Sequence, residues 1–283
     1  MYQDFWISGM KASGLITILT DFGLSDPYVG IMKGVILSIN QNATVVDISH
    51  LIKPGSIMHA ASLLMETYRF FPKGTVHLVV VDPGVGSERR PILVKTEDYI
   101  FVGPDNGVLW PVITSNEHPG VIHITERRYF LKNVSHTFHG RDIFAPVSAH
   151  LSYGADPLDI GIEIDDAVKF CLPSPVETKS RYSKGKMLSG QIMRVDHFGN
   201  LISNIHEEDL QKFLRESKPV IRIGDIVIEG LSGTYSDAKT GDMLAIIGSS
   251  GFLEIAVNSG RASDKLAMEQ KEIIGYEISL YCL

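Results

Sequence analysis

The chain has 283 residues, long enough to build one large core or two ordinary ones, and this excludes a mini-protein stapled by disulfides. Lys and Arg number 26 against 33 Asp and Glu, a formal net charge of −7, which argues against non-specific attraction to nucleic acid or an anionic membrane and favours a small-molecule partner. Hydrophobic residues make up 44% of the chain, but no run approaches the roughly 20 continuous apolar residues of a membrane span, and Cys171 and Cys282 form neither a disulfide framework nor a metal-type pair, so a reducing cytoplasm is expected.

Residues 1–14 carry acid and lack an apolar core and a cleavage signal, so they read as a loose leader. From Leu15 short β-branched runs alternate with helix-length amphipathic stretches, the rhythm of βα units on a mostly parallel central sheet. Leu15 to Thr20 is a predicted strand, Tyr28 to Ile39 a helix with Val29, Met32, Val35, Ile36 and Ile39 on one face, and Thr44 to Ile48 the next strand. A second helix is predicted from Ser56 to Tyr68, followed by the strand Thr75 to Val81, whose near-continuous apolar character suits burial on both faces. Short strands at Ile92 to Lys95, Tyr99 to Val102 and Val121 to Thr125, then a helix from Arg141 towards Leu151, complete an α/β domain over residues 15–171.

Residues 172–186 combine two prolines with charged and small residues and have no apolar period, so they are the expected linker. Beyond them, residues 187–283 give strands separated by turn signals at Gly199-Asn200, Gly230, Gly233, Gly241-Asp242 and Ser250-Gly251, with one short helix near Glu208 to Phe213. This half reads as a smaller all-β, barrel-like domain.

Two carboxylates stand at strand ends of the first domain, where open α/β sheets place their ligand crevice: Asp21 in Thr20-Asp21-Phe22-Gly23 and Asp82 in Asp82-Pro83-Gly84-Val85-Gly86. The second loop has only part of a dinucleotide fingerprint and no helix after it, and Asp21-Phe22-Gly23 lacks the other parts of a kinase, so both of those readings fail. Ordinary turns, with Asp82 as a capping residue, remain the plain alternative. Thr137-Phe138-His139-Gly140-Arg141-Asp142 sets a histidine and an arginine at a helix start. No His/Cys cluster with zinc spacing, phosphate-binding loop or nucleophile elbow occurs in the sequence.

Together with Gly103-Pro104-Asp105-Asn106-Gly107, Phe198-Gly199-Asn200 and Gly248-Ser249-Ser250-Gly251, these motifs follow the order of one family, and the sequence resembles the S-adenosyl-L-methionine hydroxide adenosyltransferases, relatives of the adenosyl fluorinase and chlorinase. The resemblance spans both domains. It implies cleavage of S-adenosyl-L-methionine by water at C5′ to adenosine and L-methionine with no metal or redox cofactor, in a homotrimer whose active sites lie between subunits. By position it implies that Asp82, Arg89 and His139 activate the water and that Asp21 grips the ribose. It further implies that Phe198, Asn200, Tyr235 and Val257 hold the adenine and that Asp196, Ser249 and Glu254 meet the methionine end.

The chemistry agrees with that assignment. A sulfonium leaves as a neutral thioether, so the demand falls on making a nucleophile from water, whose pKa is about 15.7. The halogenating relatives bear a tyrosine where Asp82 stands, and a carboxylate there repels a halide; Val85 and Gly140 also lack the hydroxyls that the fluorinating branch sets near its halide. A halogenase and a non-turnover nucleoside sensor are the alternatives to test. A methyltransferase is disfavoured because the Gly-rich first turn of the usual fold is missing.

Overall fold

In a computed structural model of the chain, residues 11–180, 182–183, 185–214, 217–266 and 273–282 are described. They form two compact units that divide between Leu172 and Pro173. Most of the expected leader, residues 1–10, lies outside the described residues; its end is tied down, with Ser13 N–H bonded to Gly74 O and Gly14 O accepting from Thr44 N–H.

The first unit runs β1 (Leu15–Thr20), α1 (Tyr28–Ile39), β2 (Thr44–Ser49), α2 (Ile57–Thr67), β3 (Val76–Val80), β4 (Pro91–Lys95), β5 (Ile100–Pro104), α3 (Trp110–Thr114), β6 (Gly120–Ile124), α4 (Ala145–Ser152) and β7 (Gly161–Glu163). Its sheet has the order β2-β1-β3-β5-β4-β6-β7. The first four of these strands are mutually parallel, whereas β4, β6 and β7 join antiparallel, so the sheet is mixed. Strand residues alternate between two cores. Ile16 and Ile18 of β1 pack with Met32 and Ile36 of α1 and Val147 of α4, while Leu19 packs with Ala60, Ala61 and Leu64 of α2 and Val112 of α3. Burial on both faces explains the nearly continuous apolar run of β3, which only His77 interrupts.

Local chemistry sets the helix boundaries. Ser56 caps α2, its hydroxyl accepting from His59 N–H. Residues Gly140–Phe144 form a π-turn leading into α4. Pro146 has no N–H for the carbonyl of Asp142, and that carbonyl accepts from Leu131 N–H at 2.9 Å instead. The wider turn therefore ties the 131–142 loop to the helix.

The second unit holds β8 (Val176–Lys179), β9 (Lys186–Val195), β10 (Leu201–His206), α5 (Glu207–Leu214), β11 (Pro219–Ile223), β12 (Ile226–Glu229), β13 (Met243–Ile247), β14 (Phe252–Val257), α6 (Ala262–Lys265) and β15 (Glu277–Cys282). Its strand path is β12-β11-β15-β9-β10-β14-β13. A bridge from Ser232, just past β12, to Ile246 of β13 links the two ends, giving the barrel-like form. Ile192, Leu201, Ile221, Ile255 and Leu280 are among the residues of its core. Part of the expected linker is not irregular: Val176–Lys179 pairs antiparallel with β9. All four residues are exposed, so no apolar alternation marks this edge strand in the sequence.

One buried titratable group has consequences for stability. His77 of β3 is fully buried, bonded through Nδ1 to Thr17 Oγ1 and enclosed by Tyr68, Phe71, Tyr99 and Phe101. Burial lowers its pKa to about 3. The unfolded chain binds a proton below about pH 6.5 that the folded chain refuses, so stability falls as pH drops through that value, by about 1.4 kcal/mol per unit until about pH 3. Urea unfolding at pH 7 and pH 5 is expected to show this loss in the native chain and to lack it in His77→Gln; equal losses in both would refute it.

Candidate active site

The order β2-β1-β3 means that the chain moves to one side after β1 and to the other after β2, which makes the carboxyl ends of β1 and β3 the point where an open α/β sheet forms its crevice. Thr20 pairs with Val80 across these strands, so Asp21 and Asp82 leave the sheet as near neighbours. Both line a pocket of about 330 Å³ together with Phe22, Tyr28, Val85, Phe138 and His139.

Asp82 is held by Arg89 in a two-pronged ion pair, with Nε donating to Oδ1 at 2.9 Å and Nη2 donating to Oδ2. Only 5% of the Asp82 side chain and 8% of the Arg89 side chain is exposed, so neither charge is compensated by bulk water. The Arg89 Nη2 group also lies 2.7 Å from His139 Nδ1. A guanidinium has only donors, so Nδ1 is the acceptor and a neutral His139 carries its proton on Nε2. Burial, and then the charge of Arg89, lower the His139 pKa below its ordinary value. The remaining Arg89 amino group, Nη1, is buried and has no hydrogen-bond partner among the described residues.

The loop that carries Asp82 is packed against the loop that carries His139. A side chain on Gly86 would meet His136 O at 2.3 Å, and the backbone there has φ +79°, so only glycine fits the contact. The His139 loop has its own brace in Asp142, which is fully buried and accepts from Arg141 Nε at 2.6 Å and from Ser135 N–H at 2.8 Å. Burial alone would raise the Asp142 pKa, but these bonds outweigh it and hold the carboxyl below its ordinary range. Phe22, Tyr28 and Phe138 pack ring against ring beside the pocket at centroid separations of 5.3–5.8 Å.

Asp21 accepts from Gly55 N–H at 2.8 Å through one oxygen. Behind it runs a polar chain that sequence reasoning missed. Lys33 Nζ lies 2.6 Å from Asp47, whose other oxygen is 3.0 Å from His50 Nε2, and His50 Nδ1 is 2.9 Å from the hydroxyl of Thr20. That hydroxyl in turn accepts from Phe22 N–H, so the chain brackets the Asp21 backbone. The only sequence signal was Asp47 three residues before His50 at the end of a strand.

The remaining candidates lie in the second unit. Phe198, Asn200, Tyr235 and Val257 line a separate pocket of about 460 Å³, with Phe198 71% and Tyr235 45% exposed. Asp196 supports this pocket from behind, accepting from Asn200 N–H at 2.8 Å and from its side-chain amide at 3.0 Å. Glu254 is buried in β14, and the Tyr235 hydroxyl donates to its carboxylate. Partial burial, followed by the charges of Glu254 and Asp196, raises the Tyr235 pKa. A side chain at Gly248 would strike the Glu254 carboxylate at 1.7 Å. Ser249 stands exposed in the β13–β14 turn, outside the lining of that pocket. A larger cavity of about 860 Å³ lies elsewhere in this unit, beside α5, β11 and β12, and is lined by none of the candidate residues.

Comparison with known proteins gives a family. Residues 16–161 match the SAM hydroxide adenosyltransferase N-terminal domain and residues 190–274 the C-terminal domain. A protein from Salinispora tropica named (R)-S-adenosyl-L-methionine hydrolase is 35% identical over 264 residues, covering 92% of this chain and 96% of its own. A Methanocaldococcus jannaschii protein of the same name is 38% identical, covering 90% of this chain and 92% of its own. A fluorinase from an Actinoplanes species is more distant, at 29% identity over 88% of this chain and 93% of its own. Among solved structures, an uncharacterised conserved protein from Thermotoga maritima superimposes with a TM-score of 0.84 at 38% identity, covering 95% of this chain and all of its own.

The His139 assignment has a direct spectroscopic consequence. Nitrogen-15 NMR of the imidazole is expected to show the Nε2–H tautomer at pH 7 and a titration midpoint below the ordinary histidine value of about 6.5. A proton on Nδ1, or a midpoint at or above that value, contradicts the Arg89 contact.

Proposed function

The chain belongs to the S-adenosyl-L-methionine hydroxide adenosyltransferase family and is an enzyme that hydrolyses S-adenosyl-L-methionine, and we propose that Asp82 directs water onto C5′ of the substrate, releasing adenosine and L-methionine. The oxygen of water forms a bond to C5′, the C5′–S electron pair returns to sulfur, and one proton leaves. Because sulfur departs as a neutral thioether, the step asks for no Lewis acid at the leaving group, and no metal or redox cofactor enters this reading.

The observation that carries the proposal is the buried Asp82–Arg89–His139 contact. Asp82 accepts one bond from Arg89 on each oxygen and keeps further lone pairs for a water molecule. The Nδ1 lone pair of His139 is engaged by Arg89, so the proton of the attacking water passes to Asp82, while the Nε2–H group of His139 is a donor towards the bound oxygen. Arg89 holds the carboxylate in one orientation, and the unpartnered Nη1 group offers one more donor. Asp21 grips the ribose hydroxyls with its outward oxygen. The acids around this pocket suit a substrate that carries a sulfonium and an ammonium.

In the same reading Phe198, Asn200, Tyr235 and Val257 take the adenine, Asp196 and Ser249 lie towards the methionine end, and Glu254 acts there through Tyr235. The exposure of Phe198 and Tyr235, two aromatic faces left open to a flat ring, supports it. A homotrimer in which the first unit of one copy meets the second unit of its neighbour would unite the two pockets. Two free cysteines suit a cytoplasmic setting. Among the described residues no helix is long and apolar enough to cross a membrane.

Purified protein incubated with S-adenosyl-L-methionine is expected to yield adenosine and methionine, with no 5′-chloroadenosine when chloride is added. Asp82→Asn is expected to lower kcat by about 10²- to 10⁴-fold, the usual worth of a positioned base. Chromatography and initial rates check both. Chlorinated nucleoside would move the chain to the halogenating branch, and stoichiometric binding without product would make it a sensor.

A further inference from the structure

The motif Gly103-Pro104-Asp105-Asn106-Gly107 marks the carboxyl end of β5, yet none of its residues has a part in the reaction above. We propose that Asn106, assisted by Asp105, is a positioning residue that holds both feet of the 82–89 loop and thereby aims the Asp82 carboxylate; this rests on the hydrolase reading.

The sheet order supplies the reason. β5 lies between β3 and β4, so a chain that leaves β3 and returns as β4 has to pass over the end of β5. Val81 starts that passage. The ladder to β5 stops at the Leu78–Val102 pair and the ladder to β1 stops at Thr20–Val80, so the Val81 carbonyl lies beyond both. The side-chain amide of Asn106 replaces the missing strand, with Nδ2 donating to Val81 O at 2.9 Å and Oδ1 accepting from Val108 N–H at 3.2 Å. The peptide held in this way is the one that begins Asp82, so its orientation fixes where that side chain emerges.

Arg90 is the other foot. Its carbonyl accepts from Asp105 N–H at 2.9 Å, and its guanidinium donates to Asp105 Oδ2 from Nε at 2.9 Å and from Nη2 at 2.6 Å. The second Asp105 oxygen accepts from Val168 N–H at 2.8 Å, and only 2% of this side chain is exposed. Adjacent residues of one strand end thus grip residues 81 and 90. Asp82 and Arg89 are the first and last residues between those grips, and their ion pair closes the loop at its neck.

The test measures kcat and KM for S-adenosyl-L-methionine and the Kd of adenosine in the native enzyme, Asn106→Ala, Asn106→Asp and Asn116→Ala. The aspartate keeps the size of Asn106 and the acceptor for Val108 N–H but has no donor for Val81 O. Asn116 is the control, since its amide bonds to Val112 O and Ser115 Oγ near the end of α3. Loss of aim costs the chemical step about 10- to 100-fold, so both Asn106 variants are expected to lose kcat by that factor, with KM and adenosine affinity unchanged and the control at native rate. Native kcat in Asn106→Asp, loss of adenosine affinity in step with kcat, or failure of Asn106→Asp to fold would each overturn the proposal, the last by assigning the amide to stability. A native enzyme that releases no adenosine would instead remove the hydrolase reading itself.

Discussion

The buried ion pair between Asp82 and Arg89 is the constraint on which the proposed site depends. Two opposite charges withdrawn from water need excellent geometry to offset their desolvation, and the two-pronged arrangement provides it. The consequences extend outward. The pair closes the 82–89 loop, points a guanidinium donor at His139 Nδ1 and so sets the tautomer of that ring, and leaves carboxylate lone pairs as the acceptors for a water proton. Arg89 also lies over the ring of Phe144, which belongs to the core beneath, so the charge cluster is fixed to the packed interior and not only to a loop.

In the proposed reading the reaction divides its demands unevenly between the two units. The attacking side needs charge, exact tautomers and exclusion of competing anions, and the first unit gathers acids, an arginine and a histidine at the carboxyl ends of β1 and β3. The leaving side needs only shape and polarity for a neutral thioether. The second unit presents the exposed aromatic side chains of Phe198 and Tyr235, with Asp196 bonded to the Asn200 amide and Glu254 to the Tyr235 hydroxyl.

Much of the fold was legible because it follows from periodicity. The helix at Tyr28–Ile39 and the buried strand at Val76–Val80 have unambiguous patterns, and Ser56 marks the start of α2. Strand direction was not legible. A buried strand reads the same either way, so the antiparallel entry of β4, β6 and β7 into the sheet has no signal in composition. The exposed strand Val176–Lys179 had none either. In the site, carboxylates at strand ends were visible from the sequence, but the contact of Asp82 with Arg89 and His139 depends on loop geometry, and only the family resemblance grouped them. The chain from Lys33 through Asp47 and His50 to Thr20, and the grip of Asn106 on Val81, escaped notice because, apart from the Asp47–His50 link, their contacts join residues 14 to 30 positions apart in sequence.

The most direct test of the account is a crystal structure of the protein with adenosine bound. The account predicts the 5′-hydroxyl within hydrogen-bond reach of the Asp82 carboxylate and the ribose hydroxyls on Asp21. Adenosine bound with Asp82 turned away from C5′, and no other carboxylate in its place, would contradict it.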